Sequence, residues 1–576
     1  MKQSKGEHEE IVESPSSRPR RRFLTQMLAL TGGAAATPAM VGGLLRAPAP
    51  AEAQAPVKGN SYGPLIVQTT GGPVRGASRN GVVCFKGIPY AGSPTGENRF
   101  KAPPPLQPWS GVRDALVYGP ASIQPLDPNR PASIPMFPTS EDCLVLNIWT
   151  PAFWDGQKRP VMFYSHGGGF VTGNGGAETA VDDTIHDGGA LARNYDVVVV
   201  TTNHRLGVLG YLYLEEILGD EYAASGIAGM LDIAAALRWV RDNIANFGGD
   251  PDRVMLFGES GGGMKTSVLT AMPAAHGLFS RASVESGSYV NGISRDRATE
   301  TTRAVLKDLG LSPSQARQLL TLPASRFAQV SASRAVGFGM GPVVDGHYLP
   351  ANPYNPVAPA ISANIPMIVG TNENEAIFFN RNRPAIYTMT ETQLQERIAS
   401  IFHDQASAVL SVYRHAYPDA SPTNIYLSIM TARMFWADAF TMAERKAQQN
   451  AAPVYMYMFR YQSNALANQN PPYPLRACHA MEMPFKFDHP QFNPMGGATG
   501  NLGTRPSRFQ TALNMSGAWA AFARTGNPNF EGIPHWPRYT LERRETMFLN
   551  AACRVVSDPW HEERLLWTKL RKYSMF

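Results

Sequence analysis

Val254-Met255-Leu256-Phe257-Gly258-Glu259-Ser260-Gly261-Gly262-Gly263 reads as a buried strand that ends in a Gly-x-Ser-x-Gly turn and hands over to a helix. A serine on a sharp strand-to-helix turn is lifted out of its sheet, where a base can reach the hydroxyl. The flanking glycines have a steric reason: the turn is strained and neighbouring backbone passes close, so a Cβ at Gly258 or Gly262 would collide. Alone the pattern is weak. With 52 glycines in 576 residues, chance supplies about 0.3 such matches in a chain this long.

Working outward, further apolar runs occur at Cys143–Trp149, Val161–Tyr164, Val197–Thr202 and Met367–Val369, each followed by a Gly-rich turn or a helix-like segment. Near-continuous hydrophobicity predicts strands covered on both faces, as in an α/β sheet. Met230–Asn246 reads as a helix, with Leu237, Val240 and Ile244 at helical spacing and Gly248-Gly249 ending it. The Pro-rich segments Pro103–Pro108 and Pro350–Pro359 read as surface loops. No repeat or linker composition divides the chain, so residues 54–576 are expected to form one large domain with insertions.

The first 53 residues have the layout of a signal peptide. Arg20-Arg21-Arg22-Phe23-Leu24 opens onto an uncharged stretch, Phe23–Leu45, and Ala51-Glu52-Ala53 offers a small-residue cleavage site. The paired arginines resemble a twin-arginine export signal, which implies the export machinery as a partner and a periplasmic or secreted bacterial protein. Glycines and Pro38 in the stretch make it a poor permanent membrane helix; an uncleaved anchor is the alternative. Removing the seven basic and five acidic residues of this segment leaves 45 and 41, a net charge of +4. That is small for the size, no basic run survives, and nucleic acid is not an expected partner. No later unbroken run of 18 apolar residues suggests stable membrane insertion. Cys84, Cys143, Cys478 and Cys553 form no C-x-x-C pair, so neither zinc nor a redox dithiol is indicated.

An acyl-transfer serine enzyme needs a nucleophile, a base, an acid that orients the base, and N–H donors for the oxyanion. Ser260 is the candidate nucleophile. Upstream, Ser165-His166-Gly167-Gly168-Gly169-Phe170 follows the run Val161–Tyr164. Successive glycines leave bare N–H groups able to point at a developing oxyanion, as in the loop that precedes a nucleophile elbow. Two such loops in the required order say more than either alone.

Six stretches carry a resemblance: SEDCLVLNIWTP (140–151), SHGGGF (165–170), NHRLGVLGY (203–211), LRWVRDNIANFGGDPDRVMLFGESGGG (237–263), HGLFSRASVESGS (276–288) and WAAFARTGNPN (519–529). The chain resembles the type-B carboxylesterase family, cholinesterase-like members of the α/β-hydrolase fold, from about Tyr62 to beyond Arg538. The resemblance implies a large, mostly parallel central sheet flanked by helices with helical insertions. It places the acid five residues after the strand-closing Gly370, at Glu375, with Glu373 the alternative. It places the base at His479, in a segment where Ala480 replaces the usual glycine, with His489 the alternative. The implied oxyanion donors are the backbone N–H groups of Gly168, Gly169 and Gly261, the last standing where the family usually has alanine. His166 is expected to shape its loop, Glu259 to be structural and to point away from substrate, and Ser286 to support the acid and base.

Three departures qualify the resemblance. The family commonly bridges the Cys143 position to a cysteine some twenty residues upstream, where this chain has Ser122; Cys143 is expected to be a buried free thiol. Leu126 stands where choline-binding members carry tryptophan, removing a cation–π platform and pointing away from cholinesterase activity. Ile233 replaces a family glutamine, with no derivable consequence. The expected reaction is hydrolysis of a small-molecule carboxylic ester through an acyl-enzyme, with no metal or cofactor. A non-catalytic binding protein on the same scaffold is one alternative, and an amidase or carbamate hydrolase using the same triad is another. The histidine must be neutral to act, so kcat/KM should fall as pH drops through roughly 6–7.

Overall fold

Eleven strands form the central sheet, and their order explains why the catalytic candidates converge. In chain order they are β1 (Ala77–Arg79), β2 (Val82–Pro89), β3 (Val145–Thr150), β4 (Arg159–Ser165), β5 (Val198–Thr202), β6 (Gly249–Glu259), β7 (Arg281–Glu285), β8 (Met367–Asn372), β9 (Val454–Phe459), β10 (Glu545–Leu549) and β11 (Arg554–Ser557). In space they run β11-β10-β9-β8-β7-β6-β4-β5-β3-β2-β1. From β5 to β10 every pairing is parallel, and the strands at both edges are antiparallel. This computed structural model describes residues 65–125, 137–176, 185–331, 339–491 and 501–575. They lie in one compact unit, Tyr62–Phe576. The signal-like segment, Leu126 and residues 177–184 fall outside the described residues.

The apolar runs became strands because they are buried on both faces: every residue of β4, β5, β8 and β9 is buried. Helices α1 (Gly189–Tyr195), α2 (Ala228–Asn243), α3 (Gly261–Leu269), α4 (Ala437–Gln448) and α5 (Ser507–Thr525) cover the sheet, α1 packing with α5 and α2 with α3. The expected helix Met230–Asn246 starts two residues earlier and tightens into a 3₁₀ turn, Ile244–Phe247, before Gly248 closes it at φ 79°. Among the described residues one helical stretch, Asp220–Phe247, is long and apolar enough to cross a membrane, and 83% of its apolar window is buried inside the protein. The Asn203-His204-Arg205 segment is tied to α2 by a buried fork, Arg205 Nε and Nη2 donating to Asp232 at 2.8 and 2.6 Å.

In a parallel sheet the carboxyl ends of the strands form one rim, where open α/β folds place their sites. The glycine loop leaves β4, the Ser260 turn leaves its neighbour β6, and the Glu375 turn leaves β8, two strands further on. His479 comes to the same rim after the antiparallel hairpin Ser463–Gln469 and Pro472–Arg476.

Candidate active site

The Ser260 turn is strained as its sequence predicts. Ser260 has φ 56° and ψ −124° and stands at the N-terminus of α3. Its amide donates to Glu285 O at 2.9 Å on the adjacent strand β7. The glycines are required by close backbone. A Cβ on Gly262 would lie 1.9 Å from Ser165 O, and one on Gly258 2.4 Å from the Gly262 carbonyl carbon. A Cβ on Gly261 would lie 2.3 Å from both N and O of Gly169. That last contact accounts for the departure at position 261: here the glycine loop rests directly on the helix start, leaving no room for alanine.

Gly168 and Gly169 have φ of +86° and +61°, a left-handed backbone that glycine adopts without penalty. The N–H groups of Gly168, Gly169 and Gly261 donate to no acceptor among the described residues. Three unspent donors, two on the glycine loop and one at the start of α3, suit a developing oxyanion.

Glu375 and His479 are brought together. His479 Nδ1 lies 2.7 Å from Glu375 Oε2, and both residues are buried. The other Glu375 oxygen accepts from Ser286 Oγ at 2.5 Å and from Asn372 N at 2.7 Å, so Ser286 supports the acid as expected. The alternatives go elsewhere. Glu373 pairs with Arg460 and accepts from Gln462 Nε2 at 2.8 Å, on the wall of a separate cavity of about 460 Å³. His489 Nε2 lies 2.8 Å from Asp187 O.

Glu259 is placed differently from its expected role. Its Oε1 sits 3.3 Å from His479 Nε2 and makes no hydrogen bond. It faces the imidazole across the Ser260 turn. Ser260 is half-buried, and among the described residues no hydrogen bond joins its hydroxyl to His479 or to any other group.

Beneath the rim lies a dense buried charge cluster. Lys486 pairs with Glu285 and lies 3.7 Å from Glu482, all three fully buried. Glu285 Oε1 also accepts from Trp519 Nε1 at 2.6 Å and Ser283 Oγ at 2.7 Å. Burial pushes the Glu259 carboxyl up to about 8, Glu482 and Glu375 adding to the rise while His479 and Lys486 oppose it. Burial alone would lower His479; Glu259 and Glu375 outweigh it and push the imidazole up to about 9. The expected titration near neutrality is corrected accordingly, because one carboxylate on each side of the ring favours the imidazolium.

His166 is buried, with Nδ1 2.9 Å from Gly167 O and its ring stacked on His204 at 4.6 Å. Desolvation, helped by Lys265, holds it well below the usual histidine range. It shapes the loop. Aromatic rings wall His479: Phe435 stacks on it at 4.6 Å, with Phe379 at 4.9 Å and Phe378 at 5.7 Å. Sequence reasoning passed over Phe435, Lys265 and Lys486. Only Lys265 carried a signal, as a lone charge inside an otherwise uncharged stretch.

With this geometry in view, the kinship is decisive: the family model described as "Carboxylesterase family" matches residues 63–565. The chain belongs to the carboxylesterase family. This carboxylesterase is 36% identical over 513 residues to a Bacillus subtilis para-nitrobenzyl esterase, covering 87% of this chain and 97% of the relative. A solved Geobacillus stearothermophilus carboxylesterase at pH 6.2 superposes with a TM-score of 0.76 at 39% identity, over 87% of this chain and all of the other. A Clostridium hathewayi esterase described as able to hydrolyse aliphatic aromatic polyesters superposes at 0.69 with 33% identity, over 88% and 98%. The α/β-hydrolase fold and a serine esterase activity are thereby established, and a non-catalytic binding scaffold is not favoured.

Proposed function

We propose that this carboxylesterase works through Ser260, His479 and Glu375, with the N–H groups of Gly168, Gly169 and Gly261 as oxyanion donors. The observation that carries the reading is the buried 2.7 Å contact of His479 with Glu375, set beside the strained Ser260 turn. Glu375 fixes the imidazole with Nδ1 as donor, leaving Nε2 to take a proton. Ser260 Oγ attacks the ester carbonyl, its proton passes to Nε2, and the carbonyl oxygen becomes an oxyanion beside the three N–H groups. His479 returns the proton to the departing alcohol as the C–O bond breaks. Water repeats the sequence on the acyl-enzyme, releasing the acid and restoring the serine.

An aromatic or other apolar group next to the scissile carbonyl fits best, because Phe378, Phe379 and Phe435 border the imidazole and Phe379 is 39% exposed. The names of the para-nitrobenzyl and polyester-hydrolysing relatives agree with that choice. Rates on matched esters, amides and carbamates test the bond preference. Twin-arginine export to the periplasm or culture fluid is part of the proposal and rests on the Arg20-Arg21-Arg22-Phe23-Leu24 segment. A mature chain beginning near Gln54 is its expected mark.

Ser260→Ala is expected to keep the fold and lose about 10³-fold or more in kcat on a nitrophenyl ester. Turnover by that variant at the parent rate would sink the assignment.

A further inference from the structure

Helix α3 carries a lysine that the ester chemistry leaves unused. Lys265 is fully buried, and its Nζ donates to His166 O at 2.8 Å. Among the described residues no carboxylate pairs with it. Burial drives its amine well below the ordinary lysine range. An unpaired lysine is a costly way to fill apolar space, and methionine would fill much the same volume without desolvating an amine. What lysine adds is the donor on His166 O.

That carbonyl is well chosen. His166 is the first residue after β4 and opens the loop Gly167–Gly169, whose glycines have no side chains to fix their direction. At the other end of the loop Gly169 lies on Gly261, so close that a Cβ there would stand 2.3 Å from its N and O. The loop is thus gripped from below by one residue of α3 and seated on another. Oxyanion donors work only when held in place before the charge develops.

We propose that Lys265 is a positioning residue for ester hydrolysis, clamping His166 O so that, with Gly169 seated on Gly261, the N–H groups of Gly168, Gly169 and Gly261 stay aimed at the oxyanion. The inference rests on the oxyanion assignment given under Proposed function. A clamp acts on the charged tetrahedral state and not on ground-state binding. Lys265→Met should therefore lower kcat by about 10- to 100-fold with KM little changed. The affinity for an aryl trifluoromethyl ketone, whose serine adduct carries the same oxyanion, should fall by a similar factor. Gly261→Ala keeps its N–H but pushes Gly169 away, and should give the same pairing of losses. Both act through one loop, so the double variant should lose clearly less than the product of the two factors.

The experiment measures kcat per titrated active site and ketone inhibition for the full chain, the two single variants and the double variant, with Ser260→Ala alongside. A merely structural lysine would lower the unfolding midpoint and leave kcat per folded site unchanged; that result overturns the proposal. So does a fall in kcat with ketone affinity unchanged. Should Lys265→Met fail to fold, Gly261→Ala decides, and parent-like kcat and ketone affinity there overturn the seating. Turnover by Ser260→Ala would sink the nucleophile assignment itself, whereas an inactive Ser260→Ala beside a parent-like Lys265→Met removes only the role of Lys265.

Discussion

At the scale of single residues, the pair Glu259 and His479 is expected to set how the enzyme responds to pH. The proposed base acts when neutral, and Glu259, 3.3 Å from Nε2, together with Glu375 on Nδ1 pushes it up to about 9. The neutral fraction grows as pH rises through that value. On this basis kcat/KM should climb across the neutral range and level off above about pH 9. Glu259→Gln removes the carboxylate on the Nε2 side and keeps the shape, so the imidazolium loses one of its two partners. The acid limb should then move to lower pH by about one unit or more. Stopped-assay pH profiles of parent and variant, corrected for spontaneous hydrolysis, read this directly; coincident limbs would refute the role of Glu259. The flanking motifs in the sequence single out His479 and Glu375, and the fold brings the two side chains together. The sequence could not show that Glu259 faces the ring, because that depends on how two distant rim segments meet.

At the scale of elements, most of the sheet was legible. Buried parallel strands are apolar runs, and five of the eleven were read directly. β6 runs longer than its apolar core because Asp250, Asp252 and Arg253 hold an extended start through local bonds, Arg253 Nε to Asp250 at 2.7 Å among them. Polar strand ends carry no hydrophobic signal, so they were missed. The elbow was legible because its constraint is steric and local in sequence. It makes a graded prediction. Gly262→Ala drives a Cβ to 1.9 Å from Ser165 O, in a fully buried strand that cannot yield. The cost should be about 3 kcal/mol or more. Gly169→Ala meets nothing within 4 Å and bears only its φ of +61°, a penalty of about 1 kcal/mol. Urea midpoints of the two variants should differ in that order, and equal midpoints would mean that the elbow backbone relaxes freely.

At the scale of the whole molecule, the protein holds its large core without covalent staples. All four cysteines are free, three of them buried and Cys553 partly so, and burial pushes the Cys143 thiol up to about 12. Reductant should therefore leave the native midpoint unchanged. The departure at Ser122 becomes instructive in space, because the Ser122 hydroxyl is near enough to the Cys143 thiol to oppose its rise. Ser122 thus stands beside Cys143, at the position where the sequence resemblance would put the second sulfur of a bridge. Ser122→Cys should close a loop of about twenty residues, worth about 3 kcal/mol by chain entropy. Against that stands the bond from Leu206 N to Ser122 Oγ at 3.1 Å, whose loss costs about 1 kcal/mol. A net gain of about 2 kcal/mol in the oxidised variant, abolished by dithiothreitol, is the expected outcome of urea titrations run with and without reductant. Three free thiols on the denatured, oxidised variant, out of five cysteines, are the expected count; one would show a second bridge, and five would show that the sulfurs never meet.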